Sequence, residues 1–349
     1  MLMRATRRGR PRLRDDRITL SHGSGGTASR LLIDDLIVPI LGAGALDSLD
    51  DCAVLPAGGA TRLAFTTDAY VVSPLFFPGG DIGSLAVHGT VNDLATAGAR
   101  PLGLSLSLIV EEGLEVAVLR RVLQSVRAAA DAARVQVVTG DTKVVHRGKA
   151  DGLFVTTSGI GAIPAGVSLS SAGVRPGDRV LLSGSIGDHG IAVLLAREAL
   201  EIEADVRSDS APLYGMAAAV LASAPGTRCL KDPTRGGVAT SLNEIAQRAR
   251  VAIAVDDARV PVRAGVRGAC EILGLDPLHI ANEGKLLAIV PAAEAEAALA
   301  AMQRDPAGRD AAMVGEVLDG PEDMVLLRTA AGGTRVLDML VGDPLPRIC

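Results

Sequence analysis

Several acidic residues stand where apolar segments begin or end. Asp50-Asp51 precedes Cys52-Ala-Val-Leu, and Asp68 follows Leu63-Ala-Phe-Thr-Thr67. Asp93 lies within Val91-Asn-Asp-Leu94, beside Asn92, and Asp141 follows Val137-Val-Thr-Gly140. An unpaired carboxylate is expensive to hold at such an edge. One alone reads as a helix cap or turn former; four together suggest a shared divalent ion. Mg2+ takes carboxylate oxygens and substrate phosphates. Lys143, in Gly140-Asp141-Thr142-Lys143, adds a point charge suited to phosphate. In the second half, Lys231-Asp-Pro-Thr-Arg-Gly-Gly237 places Asp232 and Arg235 in a turn ahead of a helix that begins at Val238. A helix N-terminus beside an arginine suits an anion, and the same residues also describe an ordinary capped turn. Ala281-Asn-Glu-Gly-Lys285 sets Glu283 and Lys285 before an apolar run, either as an acid–base pair or as a solvated surface turn. His22-Gly-Ser-Gly-Gly-Thr27 could wrap an anion with backbone N–H groups or be a plain flexible loop. Neither a Walker A loop nor a G-x-G-x-x-G turn occurs. The residues alone reach as far as an ATP site without a P-loop.

Cys349, where the sequence stops, follows Gly342-Asp-Pro-Leu-Pro-Arg-Ile348, a segment that two prolines keep from being helical. It reads as an accessible thiol, functional or accidental. Cys52, Cys229 and Cys270 sit in apolar contexts and read as small core residues. No CxxC pair or zinc spacing occurs, and sparse cysteine fits a reducing cytoplasm. His88, His146, His189 and His279 lack metal spacing and read by default as hydrogen-bonded histidines.

The elements that must position these groups follow from length and periodicity. The 349 residues fit about two domains at ~100–200 residues each. Lys and Arg number 35 against 40 Asp and Glu, and aromatics make up only 2%. That balance argues against a nucleic-acid or membrane-surface partner. No apolar run approaches a membrane span of ~18–20 residues. Residues 1–17 carry seven Arg and two Asp without an apolar core, and are expected to form a disordered extension rather than a secretory signal. Leu102, Leu104, Leu106, Leu108 and Val110 alternate as a half-buried strand does. Leu119 to Ala133 carries apolar residues at helical spacing. Strands are expected at Val135–Thr139, Gly152–Gly159, Arg179–Leu182 and Gly284–Val290, and helices at Ser29–Ile40, Gly190–Leu200, Val238–Arg248 and Ala292–Met302. The order indicates α/β or α+β layers in both halves, with the boundary in the Gly-, Pro- and Ser-rich stretch 161–178.

Taken in order, the motifs resemble one family. They are His22-Gly-Ser-Gly-Gly26, Ser73-Pro-Leu-Phe-Phe-Pro-Gly-Gly-Asp-Ile82, Gly89-Thr-Val-Asn-Asp-Leu94, Gly140-Asp-Thr-Lys-Val-Val145, Gly187-Asp-His-Gly190, Asp232-Pro-Thr-Arg-Gly-Gly237, Ala281-Asn-Glu-Gly-Lys285 and Pro346-Arg-Ile-Cys349. Residues 18–349 are similar to the HypE family of hydrogenase maturation proteins, in a superfamily with aminoimidazole ribonucleotide synthetase and selenophosphate synthetase. The resemblance implies a two-domain α/β (α+β) fold, with a nucleotide-binding and dimerisation domain at 18–163, a second domain at 164–340, and a flexible tail at 341–349. It implies a homodimer formed through the N-terminal domains; Leu102–Val110 and Phe154–Ser158 read as strands whose edges need cover, and pairing them across a two-fold axis would bury both in one barrel-like sheet. It implies cytoplasmic carbamoyl dehydratase activity. The partner carbamoyltransferase HypF loads Cys349, ATP dehydrates the S-carbamoyl group to a thiocyanate, and the cyanide passes to iron on the HypC–HypD scaffold. Carried onto this sequence, Asp51, Asp68, Asp93 and Asp232 would hold Mg2+. Asp50, Asp68, Asn92, Gly140, Asp141, Thr142, Lys143 and Arg235 would hold ATP. Cys349, Glu283 as base, Lys143 and His146 would act on the amide, with Lys285 or His146 as alternative partners of Glu283. Two rivals stay open: another enzyme of the superfamily, such as a selenophosphate synthetase or small-molecule kinase, and a non-catalytic thiol carrier.

Overall fold

The computed structural model describes residues 12–41, 50–59, 61–197, 205–342 and 347–349. The expected extension therefore falls outside the described residues up to residue 11, and the expected tail does so at 343–346. Among the described residues no helix is long and apolar enough to cross a membrane.

The first half builds a five-stranded sheet. Its strands are β1 (Ala53–Pro56), β2 (Arg62–Tyr70), β5 (Arg100–Glu111), β6 (Val137–Val145) and β7 (Leu153–Ile163), in the order β1-β2-β7-β5-β6. A small hairpin of β3 (Phe76–Phe77) and β4 (Gly80–Asp81) lies between β2 and the helices. Short helices α1 (Thr27–Leu32) and α2 (Val38–Leu41) precede the sheet, while α3 (Ile82–Thr96) and α4 (Val116–Ala132) cover one of its faces. The second half builds a seven-stranded sheet from β8 (Arg179–Leu182), β9 (Cys229–Lys231), β10 (Ala252–Asp256), β11 (Leu287–Val290), β12 (Ala312–Leu318), β13 (Met324–Arg328) and β14 (Thr334–Val336). Its helices are α5 (Asp188–Arg197), α6 (Tyr214–Ser223), α7 (Gly237–Ala249), α8 (Ala264–Leu273) and α9 (Ala295–Gln303).

Helix α3 is the hinge of the architecture. Asp81 caps it, its carboxylate accepting from the backbone N–H of Gly83 at 2.7 Å and of Ser84 at 3.1 Å. Nearly every residue of α3 is buried, because it packs on the first sheet on one side and on α6 and β9 on the other. The core is correspondingly shared. Ile82, Leu85 and Val155 join Ile191, Ile280 and Ile348 in one apolar cluster.

Two expectations change here. Strands β5 and β7 do not have edges that need cover, because each is paired on both sides within the chain. The open edges are β1 and β6, and the sheet is not a closed barrel. The strand expected at Val135–Thr139 runs later, over Val137–Val145, so Gly140–Lys143 is strand rather than loop. Alternation in β5 is also broken by a bulge between Pro101 and Gly103, which turns Leu102 outward while Leu104, Leu108 and Val110 stay buried.

Candidate active site at the domain junction

The acidic residues reach the junction from four elements. Strand β2 carries Thr66, Asp68 and Tyr70 on the face toward α3. Asp68 lies inside the strand rather than at its tip, and accepts from the Tyr70 hydroxyl at 3.2 Å and the Thr90 hydroxyl at 3.3 Å. Gly89 lets Tyr70 come this close, since a Cβ there would stand 2.2 Å from the tyrosine oxygen. One residue apart on α3, two side chains point in different directions. Asp93 faces the sheet and accepts from Thr66 at 2.6 Å, whereas Asn92 faces the second domain. Asp51 precedes β1 and accepts from the Lys231 ammonium at 2.5 Å. Asp232 follows Lys231 and is buried.

These carboxyls disturb one another. Burial lifts Asp93 well above the usual carboxylate range, and the charges of Asp68, Asp232 and Asp51 lift it further. Burial, then Asp51, push Asp232 up to about 8, against the pull of Lys231. Burial raises Asp68 and Asp50 as well, opposed at Asp50 by the hydrogen bond donated by Ser171 at 3.2 Å. At Lys231 burial works against the charge, but Asp51 and Glu244 outweigh it and keep the ammonium protonated. The result is a cluster of carboxyls that hold their protons more tightly than in solution, with the buried Lys231 as its paired cation. Among the described residues no three His, Cys, Asp or Glu side chains form a ready ligand set. Mg2+ does not require one, because it commonly takes one or two carboxylates and completes its shell with water and phosphate. The donors therefore fit a hard cation that arrives with a polyphosphate.

Glu283 stands at the same junction. It is buried, and burial followed by Asp232, Asp209 and Asp68 raises its carboxyl well above normal while Arg235 pulls it down. Its backbone is fixed from both sides: its carbonyl accepts from Asn92 at 3.1 Å, and its N–H donates to Asp209 at 3.2 Å. Asp209 also pairs with Lys285 at 3.1 Å, so Lys285 is already partnered.

Arg235, on the turn before α7, is exposed and donates to the Gly23 carbonyl at 2.7 Å. Gly25, at φ +78°, packs a backbone without a Cβ against that turn, where any Cβ would lie 2.7 Å from Arg235 Cβ. Cys349 is the first influence that keeps the guanidinium charged, and Glu283 and Asp68 add to it. Cys349 is only partly exposed: its carbonyl accepts from Val71 N–H at 3.2 Å, directly after Asp68 and Tyr70. A cavity of about 140 Å³ opens beside it, between Gly23, Ser24, Arg235 and Ile348. The expected free-standing thiol is thus seated against the site. Cys52, Cys229 and Cys270 are buried, and burial raises all three thiols, Cys229 to about 12 and Cys270 to about 11.

Other expected site residues are elsewhere. Both amide hydrogens of Asn92 are engaged, on the Ala211 and Glu283 carbonyls, and its oxygen accepts from Leu213 N–H at 2.8 Å, so it braces the two domains. Gly140, Asp141, Thr142 and Lys143 lie on the exposed edge strand β6. Register runs from Asp68 through Thr157 and Leu106 to Gly140, three strand spacings or about 14 Å. Asp141 and Lys143 fall on the sheet face opposite Asp68, and their side chains pair with each other at 2.7 Å in solvent. His146 is exposed, 3.9 Å from Glu112. None of these reaches the junction of its own chain. Sequence reasoning had missed Lys231, Asp209 and His189. Lys231 adjoins Asp232 and was findable as a cation beside an expensive acid; the other two acquire meaning only through contacts distant in sequence.

Comparison with known proteins agrees with this architecture. Residues 49–163 match the AIR synthase related protein N-terminal domain, and residues 175–327 the AIR synthase related protein C-terminal domain. A protein of Cupriavidus necator named carbamoyl dehydratase HypE is 52% identical over 337 residues, 97% of this chain and 96% of its own. A crystal structure of a HypE–HypF complex aligns with a TM-score of 0.85 and 43% identity, covering 88% of this chain and 99% of that one. A crystal structure of HypE in complex with ATP aligns with a TM-score of 0.80 and 48% identity, covering 95% and 99%. With both domains matched in order and more than half the residues shared with a HypE along almost its whole length, the chain belongs to the HypE family of the AIR synthase related proteins.

Proposed function

We propose that this chain is an ATP-dependent carbamoyl dehydratase that matures nickel–iron hydrogenase in the cytoplasm. Its substrate is an S-carbamoyl group carried on its own Cys349. The observation that carries the reading is the seat of Cys349. Its carbonyl is held on Val71, next to Asp68 and Tyr70, and Arg235 shares the field of Cys349, Glu283 and Asp68.

Dehydration needs the amide oxygen turned into a leaving group and two N–H protons removed. The oxygen attacks the terminal phosphoryl of ATP, and ADP leaves as the amide loses its first proton. The C–O bond then breaks, inorganic phosphate departs with its electron pair, and loss of the second proton leaves S–C≡N. Asp51, Asp68, Asp93 and Asp232 would hold Mg2+, which neutralises polyphosphate charge. Asp50 would steady the Asp51 turn. Arg235 is the cation placed to face the transferred phosphoryl within one chain. Glu283 is the base: burial and its acidic neighbours raise its affinity for a proton, and a cation bound among those neighbours would offset them so that the carboxylate is ionised and ready to accept one.

Lys143, Asp141, Thr142, Gly140 and His146 enter through a second copy. The uncovered sheet face carries Phe65, Ile160 and Ile109 around a middle of Thr67, Ser158 and Ser105, and β6 lies open at its edge. Pairing two such sheets would form the barrel-like homodimer and bring Gly140–Lys143 to the neighbour's site. The division into 18–163, 164–340 and a tail at 341–349 belongs to the same reading. HypF would load the thiol, and the HypC–HypD complex would take the cyanide.

The test is mass. Full-length protein incubated with HypF, carbamoyl phosphate and ATP should gain a carbamoyl group and then lose one water, with the adduct on the peptide containing Cys349. Cys349→Ala should abolish both steps while keeping ATP binding. An adduct on Cys52, or cyanide formation without Cys349, would overturn the proposal.

A further inference from the structure

The segment Arg347–Cys349 lies in a seat of main-chain and side-chain contacts: Arg197 donates to the Arg347 carbonyl at 2.6 Å, and the Arg347 guanidinium donates to the Val71 carbonyl at 3.1 Å and pairs with Asp151. Val71 N–H donates to the Cys349 carbonyl and Ser73 N–H to the Arg347 carbonyl, both at 3.2 Å, the two-residue step of a strand added to an edge. Between them the Ile348 carbonyl points the other way, into the protein, and accepts from His189 Nε2 at 2.6 Å.

His189 is fully buried, and burial lowers its affinity for a proton. The neutral ring has one N–H, and a carbonyl can only accept. The hydrogen therefore sits on Nε2, and Nδ1 accepts from the Ser208 hydroxyl, 2.8 Å away. Phe77 packs against the ring in a T-shaped contact, with centroids 5.4 Å apart and planes at 86°. Ser208 is fixed in turn by its own N–H, donated to the Pro78 carbonyl at 2.8 Å. The next residue is Asp209, which accepts from the backbone of Glu283 and Gly284 and pairs with Lys285. A single stretch of chain thus holds the receptor for residue 348 and the loop that carries Glu283.

We infer that His189 is a positioning residue: with its ring held at Nδ1 by Ser208, it grips the Ile348 carbonyl through Nε2–H and thereby fixes where the Cys349 thiol stands relative to Glu283. The purpose of that placement rests on the reading of Cys349 as carrier, but the grip itself does not. Specificity would lie in the main chain of the segment, in the apolar side chain of Ile348, which is buried in the shared core, and in Arg347, which pairs with Asp151.

Thiol alkylation of the native full-length protein separates the two. Iodoacetamide should label Cys349 far more slowly in the folded protein than in denaturant. His189→Ala should speed labelling of Cys349 roughly tenfold, the loss of one buried hydrogen bond, without exposing Cys52, Cys229 or Cys270. His189→Gln, which keeps an N–H donor, should restore much of the protection. Should His189→Ala expose the buried cysteines as well, Ser208→Ala decides: faster labelling of Cys349 alone supports the grip, and an unchanged rate overturns it. Equal labelling of Cys349 in wild type and a folded His189→Ala also overturns it. Labelling as expected, but with no ATP-driven loss of water from carbamoylated wild type, would instead overturn the reading of Cys349 as carrier.

Discussion

Asp232 carries a proton that an ordinary aspartic acid would have lost at neutral pH. Its carboxyl is pushed from 3.8 in the unfolded chain to about 8 by burial and by Asp51. Between those values the folded protein binds more protons than the unfolded one, so stability falls as pH rises through that window. Asp232→Asn should therefore raise the melting temperature at pH 8, leave it nearly unchanged at pH 4, and flatten the dependence between. If Asp232 holds Mg2+ as proposed, the variant should also lose most ATP turnover, since one carboxylate oxygen and the negative charge are removed. Calorimetric melts at several pH values, with and without Mg-ATP, would check both; a melting temperature at pH 8 no higher than wild type would sink the assignment. The acids of this site were legible in the sequence because carboxylates at the edges of apolar runs are anomalous. His189 and Asp209 were not, because a buried polar residue reads as ordinary until its partner is known, and their partners lie 159 and 74 residues away.

At the level of elements, β6 repays the most thought. Its Lys143 reads as a point charge for phosphate just past a strand ending at Thr139, yet the chain extends Gly140–Lys143 as an edge strand parallel to β5. Periodicity finds strands but does not say which are central, and a two-residue repeat fixes a face only after pairing fixes its orientation. The alternating apolar residues of β5 and the spacing of α4 were legible for the opposite reason, since each buries a face whatever its neighbours are. Two inactive variants can reveal where β6 works. Lys143→Ala and Glu283→Gln should each lower turnover by ~10²-fold or more. Mixed in equal amounts and allowed to exchange subunits, they should regain a substantial part of one site's turnover, because one mixed site keeps both residues. No gain on mixing would mean that Lys143 does not serve a neighbour's site.

For the molecule as a whole, the bare sheet face predicts self-association. Sedimentation at micromolar concentration should show a dimer. Val144→Asp, on the exposed edge of β6, should shift it toward monomer without lowering the melting temperature of the monomer itself, and should lower turnover in step. A wild-type monomer at that concentration would overturn the assembly. The shared core has one more consequence. Ile348 fills a place among side chains of both domains, so whenever Cys349 leaves to meet another protein, that place is vacated. Exposing a side chain of this size is unfavourable by ~1.5–3 kcal/mol, a roughly ten- to hundredfold bias at about 1.4 kcal/mol per decade. The segment would then spend only a small share of its time outside, and any protein that loads it would meet a rare conformer, its apparent affinity reduced by the same fraction. Ile348 thereby adds its own bias to that of the hydrogen bonds on the segment: the thiol is mostly at home and only briefly abroad.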